Sequence, residues 1–308
     1  MIVAGWLWAV FTVVAAFFQT LRNAMQRELT PRLGTVGATH VRFLFGFPFA
    51  VVFLAALVLK TGVPLPRPGW TFWPWVIDGA FAQIAATALM LVAMGERSFV
   101  VTIAYLKTEP IQVAVFGLVF LGDRVSLPMA VSILIATAGV IVMSTPLPTL
   151  ARRRGKQGRG IGGAKPTLIG LASGGMFALS AIGFRGAILD LHLANFVIAA
   201  TFTLVIGLSM QAVTLSLYLL LRAPSVIASI ARAWKPSLFA GFMGALASQF
   251  WFLAFAIATA ASVRTLALVE VIFAQLVARF AFGQKTTARE ALGMALVVAG
   301  VALLIFEH

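Results

Sequence analysis

Long apolar stretches alternate with short clusters of charged, proline and glycine residues along the whole of this chain. Each stretch runs to about 20 residues, which is enough for an α-helix to cross the ~30 Å hydrocarbon core of a bilayer. Placing the breaks at the polar clusters predicts a series of transmembrane helices, five in each half of the chain. The predicted ranges are 2–22, 34–60, 72–95, 98–121, 126–145, 167–188, 193–221, 235–258, 261–283 and 287–306.

The second half of the chain repeats the first at an offset of 161 residues, without a gap. Glu109 aligns with Glu270, and Gly139 aligns with Gly300. Because each half holds an odd number of predicted helices, the second half must cross the membrane in the opposite direction. The predicted fold is therefore an all-α polytopic membrane protein, with ten transmembrane helices as two inverted five-helix repeats around a central cavity. The predicted domains are a first repeat over 1–145, a basic, glycine-rich linker over 146–166 and a second repeat over 167–308.

Composition supports a membrane protein and excludes several other classes. Hydrophobic residues make up 61% and charged residues 10% of the 308 residues, against roughly 45–50% and about 25% in soluble domains. Cysteine is absent, which excludes thiol catalysis. The three histidines (His40, His192 and His308) lie too far apart in sequence to suggest a metal site, and no cofactor is expected.

The net charge of +14 comes from basic residues that lie mainly between the predicted helices. Loops facing anionic lipid and the cytoplasm account for that bias, so nucleic acid is not an expected partner. Most of the charge, including Arg22 in a predicted loop over 22–33, falls on the side of the linker, and Arg264 falls on the other side. The positive-inside rule then predicts a cytoplasmic linker and both termini outside.

Glu109 and Glu270 are predicted near the middles of the fourth and ninth helices, where an ionised group costs ~2.5–3.5 kcal/mol on insertion scales. They either bind a substrate ammonium, a cation or a proton, or tie helices together. Lys107 lies about 200° around the helix from Glu109, so the two cannot pair. It must find another anion, the membrane interface or the cavity, where it would suit a substrate carboxylate. Pro110 removes an amide donor and is predicted to act as a hinge in the fourth helix.

Further polar and aromatic residues are candidates for lining the cavity, with ordinary core packing as the alternative. They are Tyr105, Trp251, Phe252, Gln83, Gln249, Thr87 and Ser248. Three arginines, Arg42, Arg185 and Arg279, lie closer to helix ends, where they could reach the membrane surface, and a structural role is predicted for them. Small residues crowd the fifth and tenth helices, which predicts that these helices pack together as a scaffold or form a dimer contact.

The segment from Leu106 to Pro110 (Leu-Lys-Thr-Glu-Pro) is followed by Phe-Leu-Gly-Asp-Arg ending at Arg124. This pattern resembles the EamA module of the drug/metabolite transporter superfamily, and the chain as a whole resembles its ten-helix, YddG-type aromatic amino acid exporters. The second copy matches less closely, because Val271 replaces the proline and Gln284 the acidic residue of the turn.

The resemblance implies export of amino acids, aromatic and other large neutral ones, from the cytoplasm by alternating access without ATP. It also implies a monomer in a bacterial inner membrane. Export of another small metabolite or drug remains open. An intramembrane enzyme is the rival from a different class. It is disfavoured because no histidine lies in a helix after Ser209 and paired intramembrane aspartates are lacking.

Overall fold

The computed structural model describes residues 5–96, 106–144, 164–273, 275 and 287–307, and this described part is helical without strands. Its helices are α1 (Leu7–Thr61), α2 (Phe72–Glu96), α3 (Glu109–Phe116), α4 (Leu127–Ser144), α5 (Ala164–Asp190), α6 (Phe196–Arg222), α7 (Pro224–Arg232), α8 (Trp234–Ile257), α9 (Ala260–Leu266) and α10 (Ala288–Glu307). A π-helical turn over Gly117–Leu121 extends α3. Because α5 begins at Ala164, the last three residues of the predicted linker are helical, and the rest of it lies outside the described residues.

Within the described residues, six helices are long and apolar enough to cross a membrane: α1, α2, α5, α6, α8 and α10. Two shorter apolar helices, Glu109–Leu121 and Leu127–Met143, fall inside the predicted fourth and fifth spans. Parts of the predicted fourth and ninth spans lie outside the described residues. The number of ten spans and the inverted orientation of the halves therefore stay predictions.

Helix α1 is not one straight rod. At 1.5 Å per residue its 55 residues would extend to about 80 Å, far beyond the ~30 Å of hydrocarbon. Gly34, with φ 68° and ψ 173°, interrupts it, a backbone conformation that is essentially restricted to glycine. The Gln26 side chain donates to the Ala38 carbonyl at 2.9 Å, although 12 residues of straight helix would separate them by about 18 Å. The chain therefore doubles back at Gly34.

The predicted loop over 22–33 is wrong, because these residues continue the helix up to the break at Gly34. Their leucine, alanine, methionine, glutamine, glutamate and arginine residues favour a helix despite their polarity. A cluster of charged residues with a proline predicts the loop, but such a cluster does not by itself end a helix. Arg22 consequently lies on a helix, in the interior of the protein, with 1% of its surface exposed.

Helix positions repeat at the same offset as the sequence. Adding 161 to the second segment of α1, residues 35–61, gives the bounds of α6, and adding it to the first residue of α4 gives the first residue of α10. The most extensive contacts are α1 with α8, α2 with α5 and α4 with α10. Shifting the residue numbers by 161 converts the contact of α1 with α8 into the contact of α5 with α2. The same shift converts α4 into α10, so the third contact joins two equivalent helices. The helix contacts thus repeat at the same 161-residue offset as the sequence.

Helices α4 and α10 cross closely through glycines, as their small residues predicted. A Cβ atom on Gly139 would lie 2.7 Å from the Gly293 carbonyl oxygen, and one on Gly300 would lie 2.7 Å from the Ala136 amide nitrogen. Side chains at these positions would push the two backbones apart. The predicted packing of these two helices within one chain is confirmed.

Candidate functional site

The predicted fourth and ninth helices both depart from regular α-helical geometry at equivalent positions. In the fourth, Lys107 and Thr108 form a turn before α3 begins at Glu109. In the ninth, a 3₁₀ turn over Ala267–Val269 follows α9 and precedes Glu270. Each glutamate therefore opens a new helical segment directly after a break, and the two breaks are related by the 161-residue offset.

Pro110 lies in the first turn of α3. A proline is tolerated there because the amide it lacks would have no acceptor within the helix. The interruption of the fourth helix thus precedes Pro110, at residues 107–108, and is not a kink within a continuous helix. A hinge role for Pro110 remains a prediction.

Lys107 and Glu270 form a buried ion pair between these two breaks. The Lys107 Nζ lies 2.9 Å from the Glu270 Oε2, and Gln19 of α1 donates to the same oxygen at 3.1 Å. The lysine and glutamate side chains are only 10% and 9% exposed. The sequence excluded Glu109 as the partner of Lys107, and the partner is the equivalent glutamate of the other half. The pair thus joins the two predicted repeats.

Glu109 pairs with Arg264 of α9 in the same region. The Arg264 Nε lies 3.1 Å from the Glu109 Oε1, but neither atom makes a well-directed hydrogen bond, so the contact is mainly electrostatic. The guanidinium also lies 4.6 Å above the Trp251 ring, within cation–π range. Trp251 donates from Nε1 to the Gln19 Oε1 at 3.1 Å. The Gln19 amide therefore links the two ion pairs.

Two small cavities adjoin this cluster. The larger, of about 30 Å³, is lined by Gln19, Arg22, Asn23, Met90, Leu106, Lys107, Glu109, Phe177, Arg264 and Glu270. The smaller, of about 10 Å³, is lined by Gln19, Arg42, Gln83, Phe177, Ser180, Ala181, Phe184, Ser248, Trp251, Phe252, Phe255 and Arg264. Ligand sites measure about 300–1,000 Å³, whereas a water needs at least about 10–15 Å³. Of these two cavities, the larger can hold water, and neither has the volume of a ligand site.

The structure brings most predicted site residues to these cavities. Lys107, Glu109 and Glu270 line the larger cavity, and Gln83, Ser248, Trp251 and Phe252 line the smaller.

Two other candidates line neither of these two cavities, and their place at a substrate cavity stays a prediction. Thr87 is fully buried and accepts from the Arg42 Nη1 at 3.2 Å. Gln249 donates to Thr201 at 2.7 Å. Both have a partner on a neighbouring helix, although the Gln249 Oε1 has none. Tyr105 lies outside the described residues.

Sequence reasoning missed three residues of the cluster: Gln19, Arg22 and Arg264. The charge distribution places Arg22 and Arg264 near opposite membrane surfaces, because they lie at the ends of apolar stretches, yet they are 1% and 7% exposed. Arg42 is 2% exposed, so it does not reach the membrane surface, as its place near a helix end would allow. Gln19 was detectable, since a carboxamide inside a predicted span needs a polar partner.

Arg185 is also buried instead of reaching the surface, because it has three partners within the protein. It donates to the carbonyls of Phe255 and Ala258 at 2.7 and 2.6 Å and pairs with Asp123 at 3.3 Å. These contacts tie α5 to the turn after α8 and explain its burial without a ligand. Arg279 lies outside the described residues.

Comparison with known proteins identifies the first half of the chain. Residues 6–145 match the EamA-like transporter family. This half is similar to an EamA-like transporter domain. The match ends at residue 145, where the first predicted repeat ends. No curated protein matches the chain.

A solved structure described only as "Crystal structure of protein" is similar in fold to this chain. Its TM-score is 0.69 at 18% sequence identity, over 96% of this chain and 94% of that one. At that identity the likeness establishes the fold alone. The match over residues 6–145 and the six long apolar helices among the described residues support a multi-pass membrane protein.

Proposed function

We propose that this EamA-like protein exports amino acids, aromatic and other large neutral ones, by alternating access at the central charged cluster. The single observation that carries the proposal is the pair of buried ion pairs, Lys107 with Glu270 and Arg264 with Glu109. Both lie at breaks in helices, where backbone and side chains can rearrange. Opposite charges held side by side in a buried site suit a zwitterion.

The surroundings of the cluster match the remaining part of such a substrate. Trp251 and Phe255 lie under the Arg264 guanidinium, and Phe252 lines the same small cavity. In an open conformation these rings offer an apolar wall for a flat side chain. The substrate ammonium would take the place of a cation beside Glu270 or Glu109. Lys107, released from Glu270, is then a candidate partner for the carboxylate.

The position of the ion pairs between the predicted repeats supports alternating access. Each pair joins a residue of one half to a residue of the other, so both pairs hold the halves together while the site is closed. A substrate that competes for these charges loosens the closed state and allows the site to open. The protein would work as a monomer in a bacterial inner membrane, with both termini outside as the charge distribution predicts.

Counterflow in proteoliposomes tests this function without assuming a driving force. Vesicles containing the purified protein are loaded with unlabelled phenylalanine, tryptophan or methionine, and uptake of the radiolabelled amino acid is followed against protein-free vesicles. We expect transient accumulation, with the aromatic amino acids ahead of methionine. No accumulation across a broad amino acid panel would remove the amino acid assignment and favour the alternative, another small metabolite or drug.

A further inference from the structure

The central cluster contains more positive than negative groups. Four cationic side chains are buried there against two carboxylates. The cations are Arg22, Arg42, Lys107 and Arg264, and the carboxylates are Glu109 and Glu270. The ion pairs already described use both carboxylates, one for Lys107 and one for Arg264. Arg22 and Arg42 are therefore the two cations left without a carboxylate in an ion pair.

Neither Arg22 nor Arg42 has a carboxylate partner within 4 Å among the described side chains. Arg22 donates from Nε and Nη2 to its neighbour Asn23, at 3.3 and 2.7 Å, while its Nη1 has no hydrogen-bond partner. Arg42 donates from Nη1 to Thr87, while its Nε has no partner. Both side chains are at least 98% buried. Such charges are costly in a membrane interior unless an anion compensates them.

The two arginines lie together and line the two small cavities beside the ion pairs. Their stems converge on Gly244 of α8, where an added Cβ would be 3.2 Å from the Arg22 Cδ and 3.4 Å from the Arg42 Cγ. Arg22 lines the larger cavity with Glu270, and Arg42 lines the smaller one with Trp251. An anion between them would therefore have a carboxylate on one side and an aromatic wall on the other.

We propose that Arg22 and Arg42 bind the carboxylate group of the transported solute. The planar, fork-shaped guanidinium matches a carboxylate through paired hydrogen bonds. This assignment rests on the proposed export function and changes one part of it. Lys107 is already neutralised by Glu270, so the carboxylate goes to the free arginines, and the ammonium stays near the glutamates. Free inorganic phosphate offers the same oxyanion chemistry, and the experiment separates the two.

Ligand binding to the purified full-length protein tests the site independently of transport. Titration calorimetry would compare phenylalanine, benzoate (a carboxylate without an ammonium group) and inorganic phosphate. The variants are Arg22→Gln and Arg42→Gln, with Arg232→Gln on the exposed face of α7 as a matched control. We expect wild type and control to bind phenylalanine and benzoate alike, and each central variant to lose at least tenfold in affinity for both.

Thermal unfolding without ligand separates binding from a structural role. Removing an uncompensated buried charge should leave the unfolding midpoint unchanged or raise it, whereas a merely structural arginine would lower it. Arg22→Lys, which keeps the charge without the fork, provides a second variant if Arg22→Gln does not fold, and should bind benzoate more weakly than wild type.

Every outcome decides the proposal. Benzoate binding that depends on Arg22, together with absent amino acid counterflow, would keep the carboxylate site and overturn the amino acid function. Phosphate binding that depends on Arg22, without benzoate binding, would overturn the carboxylate assignment. Equal benzoate affinity in wild type and Arg22→Gln, or no benzoate binding by wild type, would overturn the site itself.

Discussion

Glu270→Gln tests the central ion pair most severely, because it removes one charge while preserving side-chain size. In the wild type, the Lys107 Nζ lies 2.9 Å from the Glu270 Oε2 and both side chains are about 90% buried. The substitution leaves Lys107 buried without its carboxylate. Gln19, the other donor to this oxygen, is neutral and cannot compensate the charge.

The size of the effect follows from the geometry. At 2.9 Å and an effective dielectric constant of about 20, the gross Coulomb attraction of the pair is about 6 kcal/mol. Losing one partner of a buried pair costs about 3–5 kcal/mol in net terms, since the remaining charge stays desolvated. A change of about 3 kcal/mol shifts an equilibrium by roughly a hundredfold or more. The closed state would therefore be reached too rarely for normal exchange.

Phenylalanine counterflow and thermal unfolding would be measured for Glu270→Gln beside Trp6→Phe. Trp6 is 64% exposed, so its substitution leaves the cluster intact and serves as a control for expression and reconstitution. We expect Glu270→Gln to lower the unfolding midpoint and to reduce the initial counterflow rate by at least tenfold. Trp6→Phe should transport like wild type.

The double variant Lys107→Met with Glu270→Gln distinguishes a substrate-binding glutamate from a structural one. Removing both charges leaves no uncompensated lysine, so the midpoint should return close to that of wild type. Transport should stay low, because the carboxylate proposed to bind the ammonium is absent. Wild-type counterflow by the double variant would show that the pair only holds helices together. Equal rates for Glu270→Gln and Trp6→Phe would refute the reasoning from buried charge.

Three further predictions concern packing and backbone geometry. Gly300→Leu should lower the unfolding midpoint or prevent folding, because its Cβ would lie 2.7 Å from the Ala136 nitrogen; a stable variant would contradict the close crossing of α4 and α10. Gly34→Ala should destabilise by about 1–3 kcal/mol in a denaturant titration, and an unchanged midpoint would argue against the positive φ. Trp251→Phe removes the bond to Gln19 but keeps a ring under the guanidinium, so unfolding should show a loss of about 1 kcal/mol; a loss as large as that of Glu270→Gln would refute this.

The sequence predicted the helices well where apolar runs have clear polar borders. The predicted start at residue 72 is the first residue of α2. The prediction of a loop at residues 22–33 was wrong, because a polar stretch can remain helical when its residues favour a helix. The turn is made by one glycine instead. The polarity of a segment indicates whether it prefers water or lipid, but it does not determine where a helix ends. That depends on the backbone conformation.

The candidate site was predictable in part for a similar reason. Glu109, Glu270 and Lys107 were identified because ionisable groups inside apolar runs are costly. Their pairing was not, since the Lys107–Glu270 contact spans 163 residues and depends on how the halves pack. Arg22 and Arg264 looked like loop charges, and only tertiary packing shows that they are buried.

Accessibility of a single cysteine tests alternating access most directly. The chain has no cysteine of its own, so Ser248→Cys places one thiol beside the central site, where Ser248 is 3% exposed. Ser225→Cys, on the exposed surface of α7, is the control. A membrane-impermeant maleimide would be applied to right-side-out and inside-out vesicles, with and without phenylalanine.

If the site opens alternately to the two sides, we expect the reagent to label the Ser248→Cys variant slowly from each side of the membrane. Phenylalanine should slow both reactions. The Ser225→Cys variant should be labelled from one side only, at a rate that phenylalanine does not change. Labelling of the Ser248→Cys variant from a single side, or from neither, with no protection by phenylalanine would contradict a substrate site that opens alternately to the two sides.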